Sequence, residues 1–141
     1  MAIKNYTTKI GTGQSLGEIQ DALARNGAQK IMVDYENGAP IALTFAINTS
    51  AGMGAFRLPA NMAGVAKVLE RQKVKCDREQ VMRISWRNIR DWVLAQMALI
   101  EAGNVAMDEV FLPYLTDGQK TVYELYRAGR LMLPEAPKED A

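Results

Sequence analysis

An Asn37-Gly38 step separates two stretches in which apolar and polar residues alternate, and this pattern constrains the fold most strongly. Asn-Gly is the preferred centre of a two-residue β-hairpin turn, because both turn positions need a positive φ angle. Alternation with a period of two is typical of strands that have one buried face. Residues 30–35 and 40–48 are therefore predicted to form a hairpin, which residues 54–59 extend to a three-stranded antiparallel meander.

The spacing of apolar residues changes after Pro59 to three or four, which is typical of helices that bury one face. This spacing predicts a helix over residues 60–72 and the longest helix of the chain over about 77–102. Asp77 is a suitable residue to open the long helix, and a short helix is predicted over residues 119–128.

Two features precede the meander. Residues 3–10 are rich in β-forming side chains and are predicted to add an N-terminal strand to the sheet. Ser15 and Glu18 match the S-x-x-E capping box, in which both side chains accept hydrogen bonds from backbone N–H groups at a helix start. A helix is therefore expected from Ser15 to about Arg25.

The glycine turn ahead of this helix has the layout of a phosphate-binding loop, but it matches neither of the common signatures. Leu16 takes the place of the third glycine of the dinucleotide-binding fingerprint, and the loop lacks the lysine of a P-loop. Ser15 and Glu18 would also occupy the N–H groups that hold a phosphate. The stretch is predicted to be a turn that binds no phosphate.

Together these elements predict one α+β domain over residues 1–131. Its small antiparallel β-sheet, made of the meander and the N-terminal strand, is expected to pack against the helices. The length of 141 residues is close to the commonest size of a single domain. Residues 132–141 are rich in proline and charge and are predicted to be a disordered tail.

The residue types present exclude several kinds of chemistry. The chain has no histidine, which removes the commonest general base, the Ser-His-Asp triad and the commonest metal ligand. Cys76 is the only cysteine, so an intrachain disulfide and an ordinary structural zinc site are excluded as well. We therefore expect no enzyme, with no catalytic residues, no metal and no cofactor. The cysteine usage and the lack of a long apolar run predict a cytoplasmic protein with no membrane partner.

Positive charge is concentrated in one segment of a chain whose net charge is only +1. From Lys67 to Arg90 there are eight basic and three acidic residues, a net charge of +5. Within the predicted long helix, one stripe opposite the apolar arc carries three arginines, and a tryptophan lies at its edge. Guanidinium groups beside an indole suit a phosphate backbone and a stacked base. The candidate residues for binding nucleic acid or another anion are Arg57, Arg71, Lys73, Lys75, Arg83, Trp86, Arg87 and Arg90.

Two other interpretations of the arginine stripe stay open. A charged stripe on an amphipathic helix is often only a solvated face, and Arg87 with Asp91 would form a neutralising pair one turn apart. The stripe also suits an acidic protein surface or a phosphorylated small molecule.

Three phrases of the sequence together resemble a group of small uncharacterised proteins encoded in bacteriophage and prophage genomes. They are IKNYTTKI, FRLPANMAGV and SWRNIRDWVLAQMALIEAGNVAMDEVFLPYL. The resemblance covers about residues 3–125 and contains no active-site motif. It implies a non-enzymatic phage-encoded protein in the cytoplasm of the host cell.

The expected function is that of a phage accessory protein that binds nucleic acid through a basic helix face. The alternative is an anti-defence protein that binds a host immune protein or sequesters a nucleotide signal. Homo-oligomers that pair through exposed sheet edges are a third possibility.

Overall fold

The computed structural model of the protein describes residues 1–131, 135 and 137, and most of the predicted tail over 132–141 lies outside them. The α+β class is confirmed. The helices are α1 (Thr12–Arg25), α2 (Met62–Arg71), α3 (Arg78–Glu101), α4 (Met107–Phe111) and α5 (Val122–Arg127). The strands are β1 (Lys30–Glu36), β2 (Ala39–Thr49), β3 (Gly52–Pro59) and β4 (Leu115–Thr116), and a short 3-10 helix covers Leu112–Tyr114.

The predicted meander is confirmed as three consecutive antiparallel strands in a sheet of order β1-β2-β3-β4. Asn37 and Gly38 have φ angles of 51° and 78°, which both positions of a type I′ turn require. Val33 pairs with Leu43, and the register shifts once, between Asp34 and Tyr35. The tight turn therefore sets the pairing of the last two residues of β1, and the rest of the hairpin is offset from it by one residue.

The predicted N-terminal strand is wrong. Residues 4–7 form a turn in which Asn5 has a left-handed φ angle of 66°. The Asn5 side-chain amide donates to Asn88 Oδ1 at 2.8 Å and to Asp91 Oδ2 at 2.9 Å. Gln80 of α3 donates to the carbonyl oxygens of Tyr6 and Thr8. Polar side chains of α3 thus bind this segment, and their hydrogen bonds outweigh its β propensity.

The fourth strand of the sheet is instead β4, which comes from the C-terminal part of the chain. Its Leu115 pairs with Phe56 and its Thr116 with Ala55 of β3. A strand of two residues is too short to produce an alternating pattern, so the sequence carries no signal for it.

The predicted capping box at Ser15 and Glu18 is also wrong. Helix α1 begins at Thr12, and its N-cap residue, Gly11, offers no side-chain hydrogen bond. Ser15 is fully buried within the helix, and the carboxylate of Glu18 contacts Arg87 on α3. Both side chains face α3 because the helix starts one turn earlier than the motif indicates.

The core lies between one face of the sheet and the helices α1 and α3. At its centre the ring of Phe45 stacks on Phe56 at 5.3 Å between ring centroids and meets the edge of Phe111 at 5.4 Å. A second, smaller cluster joins α2 to α3 through Val65, Leu69, Val81 and Ile84. Helix α2 is therefore attached to the domain through the first part of α3.

We expect opposite stability changes when alanine replaces two glycines in different conformations. Gly38→Ala should lower the free energy of unfolding by about 1 kcal/mol, because an L side chain is strained at a positive φ angle. Gly17→Ala, inside α1 with no atom within 4 Å of the added Cβ, should raise it by about 0.5–1 kcal/mol. Urea unfolding followed by circular dichroism measures both. Equal effects at the two positions would contradict the hairpin turn.

Candidate nucleic-acid interface

Trp86 does not lie at an exposed edge of α3, so its prediction as a base-stacking residue is wrong. Its side chain is 0% exposed and belongs to the core cluster. The indole Nε1–H donates to the carbonyl oxygen of Pro40 in β2 at 2.9 Å. A buried indole needs such an acceptor, and the hydrogen bond fixes which side of α3 faces the sheet.

Arg87 also lies inside the structure, between α1 and α3. Its side chain is 11% exposed, and Nη1 contacts Glu18 Oε2 at 2.6 Å and Ser15 Oγ at 3.5 Å. Both partners belong to α1. The guanidinium group therefore joins two helices and is not available to a phosphate.

Arg90 is partly buried in a cluster of charges on the same side of α3. Its Nη1 lies 3.0 Å from Asp91 Oδ1, and its Nε lies 3.5 Å from Glu18 Oε2. Asp91 also contacts Lys4 Nζ at 3.4 Å, so Lys4 and Arg90 take the place of the predicted Arg87–Asp91 pair. Burial alone would raise the pKa of Asp91, but hydrogen bonds from Asn5, Arg90 and Lys4 outweigh it and lower that pKa.

Two of the three remaining arginines of the predicted set, Arg83 and Arg57, also have carboxylate partners. Arg83 Nη2 lies 2.7 Å from Glu79 Oε1, one turn earlier on α3. Arg57 Nη2 lies 3.6 Å from Asp34 Oδ2 on the sheet face that is turned away from the core. The four arginines thus lie in contact with acidic side chains, and none presents an uncompensated positive charge.

Positive charge without an acidic partner lies instead around the loop between α2 and α3. We call this the α2–α3 basic surface. Five exposed cations form it, and within the described residues none lies within 4.0 Å of a carboxylate oxygen. Three of them belong to the predicted set. The five are Lys67, Arg71, Lys73, Lys75 and Arg78.

Lys67 and Arg78 are the two members that the prediction counted in the charged segment but did not assign to the site. Both lie in the same run of twelve residues as the other three cations. That run also contains Glu70 and Asp77, which leaves it a net charge of +3. Charge density along the sequence therefore indicated the unpaired positive charge better than position on the helical wheel did.

Local backbone geometry holds this loop in place at both ends. At the end of α2, the Val74 N–H donates to the Leu69 carbonyl and the Lys73 N–H to the Glu70 carbonyl. This is the hydrogen-bond pattern of a Schellman motif. At the start of α3, the Asp77 side chain accepts from the Gln80 N–H at 2.8 Å.

Lys73 occupies the position of the Schellman motif at which glycine is usual. Its φ angle is 57°, in the left-handed region, where a side chain costs about 1 kcal/mol. Non-glycine residues held in sparsely populated backbone regions cluster at functional sites. Lys73 lies at the tip of the loop, and its left-handed conformation lowers the stability of the fold.

A cleft of about 380 Å³ lies beside the loop, between α2 and the start of α3. Its apolar lining includes Leu69, Val74 and Val81, and Lys73 and Lys75 line it as well. Glu70 adds a negative charge to the same wall. The cleft therefore combines apolar surface with charges of both signs.

No protein family, curated protein or solved structure shows significant similarity to the chain. The resemblance to phage proteins and the expected lack of catalysis accordingly stay predictions. Among the residues that the structure describes, no group of three or more acidic or cysteine side chains is placed to hold a metal ion. No helix in this part of the chain has the length and apolar character needed to cross a membrane.

Arg83 and Arg87, two arginines of the predicted set, should differ in their effect on stability. Arg87→Ala should lower the free energy of unfolding by about 2–3 kcal/mol, because it leaves Glu18 partly buried without its main partner. Arg83→Ala breaks a more exposed pair within one helix and should cost less than about 1 kcal/mol. Chemical unfolding of the two variants measures the difference. Equal costs would contradict the interhelical role of Arg87.

Proposed function

We propose that the protein binds nucleic acid, without catalysis, through the α2–α3 basic surface. The observation that carries the proposal is the set of five exposed cations that have no acidic partner among the described residues. Binding of cations to a phosphate backbone releases condensed counterions, which favours association with any polyanion of sufficient length. The proposal keeps the predicted role of a phage accessory protein but moves the contact from the arginine stripe to the loop.

The composition of the surface favours contacts to phosphates over contacts to bases. Lysine is a compact point charge, and three of the five cations are lysines. Trp86, the proposed stacking residue, is buried. Phosphate contacts position a nucleic acid without reading its sequence, so weak sequence preference is expected.

The strained backbone at Lys73 supports the same proposal. A glycine at this position would relieve the strain but would remove the cation at the tip of the loop. A stability cost of this kind is consistent with a charge that is kept for binding.

A second candidate function is binding of a free nucleotide in the cleft beside the loop. The apolar walls suit a base, and Lys73 and Lys75 suit its phosphate. Glu70 lines the same cleft and would repel a phosphate placed beside it. An extended nucleic acid can run along the outer cations and avoid this carboxylate, so it is the first candidate.

We expect binding to labelled single-stranded and duplex oligonucleotides to depend steeply on salt. With five phosphate contacts, affinity should fall roughly 100-fold for a single strand and roughly 500-fold for a duplex between about 50 and 200 mM salt. Combining Arg71→Ala, Lys73→Ala and Lys75→Ala should reduce the slope of log affinity against log salt by about two for a single strand and by about three for a duplex. Fluorescence anisotropy measures both quantities.

The matched control removes three exposed cations elsewhere, through Arg25→Ala, Lys120→Ala and Arg127→Ala. It has the same net charge as the loop variant and should keep most of the affinity. Equal losses in the two triple variants would show nonspecific attraction to the whole molecule and would contradict the proposed surface. Displacement of the oligonucleotide by a mononucleotide at equal phosphate concentration would favour the cleft instead.

Lys73→Gly should raise stability and lower affinity at once. Glycine adopts the left-handed conformation without a Cβ clash, so the free energy of unfolding should rise by about 1 kcal/mol. Loss of one cation should weaken oligonucleotide binding. Lys75→Gly is the control, since Lys75 has no positive φ angle and its replacement should lower both quantities. A Lys73→Gly protein with unchanged affinity would remove Lys73 from the interface.

A further inference from the structure

Strand β1 is an open edge of the sheet. In the described part of the chain it pairs with β2 alone, and its seven residues contain no proline. Met32 and Tyr35 on this strand are 58% and 63% exposed. Natural edge strands are usually protected by shortness, proline, bulges or charges, because unpaired N–H and C=O groups bind other strands. The register shift between Asp34 and Tyr35 leaves its extra residue, Ile41, on β2 and not on β1. The charges on β1 therefore decide whether a further strand is repelled or accepted.

The charges on β1 are complementary to a second copy of the same strand. The strand reads KIMVDYE, with Lys30 at its first position and Glu36 at its last. Neither forms an ion pair within the described residues, whereas Asp34 is paired with Arg57. An antiparallel arrangement centred on Val33 sets Lys30 of each copy opposite Glu36 of the other.

We propose that two copies of the chain pair through β1 about a two-fold axis at Val33. The two four-stranded sheets then form one continuous antiparallel sheet. Ile31 of each copy lies opposite Tyr35 of the other, on the face of the strand that bears the core residues. Pairs of an aromatic and a β-branched residue, and pairs of opposite charge, are those that stabilise neighbouring antiparallel strands. The interface is isologous and closes at a dimer.

Charge distribution favours this register over its nearest alternative. A two-fold axis at Met32 would set Lys30 opposite Asp34, whose carboxylate already contacts Arg57. It would also set Glu36 opposite Ala28, outside the strand. Only the axis at Val33 pairs all seven residues of β1 with the second copy and sets each of the two unpaired charges opposite a charge of the other sign.

The dimer does not depend on the proposed binding of nucleic acid, since its residues belong to β1 and the basic surface belongs to α2, α3 and their loop. The two proposals share no residue, so the failure of one leaves the other standing.

Charge reversal at the two ends of β1 tests the dimer. Sedimentation velocity of the wild-type protein over a range of concentrations should show a monomer–dimer equilibrium. Lys30→Glu alone, or Glu36→Lys alone, sets like charges opposite each other twice and should raise the dimer dissociation constant about tenfold or more. A mixture of the two variants should form a heterodimer, because every facing pair is again of opposite charge.

The chain that carries both reversals, K30E and E36K, should regain the wild-type dissociation constant. Both side chains are exposed, so circular dichroism should show the wild-type fold in each variant. A wild-type protein that stays monomeric at the highest concentration would overturn the proposal. Single variants that dimerise as the wild type does, or a mixture that fails to associate, would overturn it as well.

Discussion

The hydrogen bond from Trp86 to the carbonyl of Pro40 is the contact on which the arrangement of the charged residues depends. It joins the middle of α3 to β2 and sets the rotation of the longest helix about its own axis. With the indole against the sheet, Arg87 is turned toward α1. There Glu18 Oε2 accepts a hydrogen bond from Arg87 Nη1 at 2.6 Å. The pair joins α1 to α3, and loss of either partner would leave the other charge partly buried without its counter-charge.

The same rotation explains how the N-terminal residues are held. Asn88 and Asp91 follow Trp86 on the helix by two and five residues, and both accept hydrogen bonds from the side chain of Asn5. Burial would raise the pKa of Asp91, but hydrogen bonds from Asn5, Arg90 and Lys4 outweigh it and lower that pKa. Arg87 and Arg90 of the arginine stripe thus take part in contacts between α1 and α3, and the excess positive charge is left at the loop between α2 and α3.

Features that depend on neighbouring residues could be predicted from the sequence, and features that depend on distant ones could not. The Asn37-Gly38 turn and the start of α3 at Asp77 follow from local backbone chemistry, and both predictions are confirmed. The partner of Arg87 is 69 residues away in the chain, so helical periodicity could not identify it. The α2–α3 basic surface could have been predicted from the sequence, because its five cations are close together in the chain and local caps hold the loop.

The position of Cys76 has a practical consequence. It is the only cysteine of the chain, it is partly exposed, and it lines the cleft beside the α2–α3 basic surface. A maleimide dye would therefore attach at one known point of the native sequence, next to Lys75. Its emission would report on the polarity of that cleft without any engineered residue, and quenching by iodide would follow the local positive potential directly.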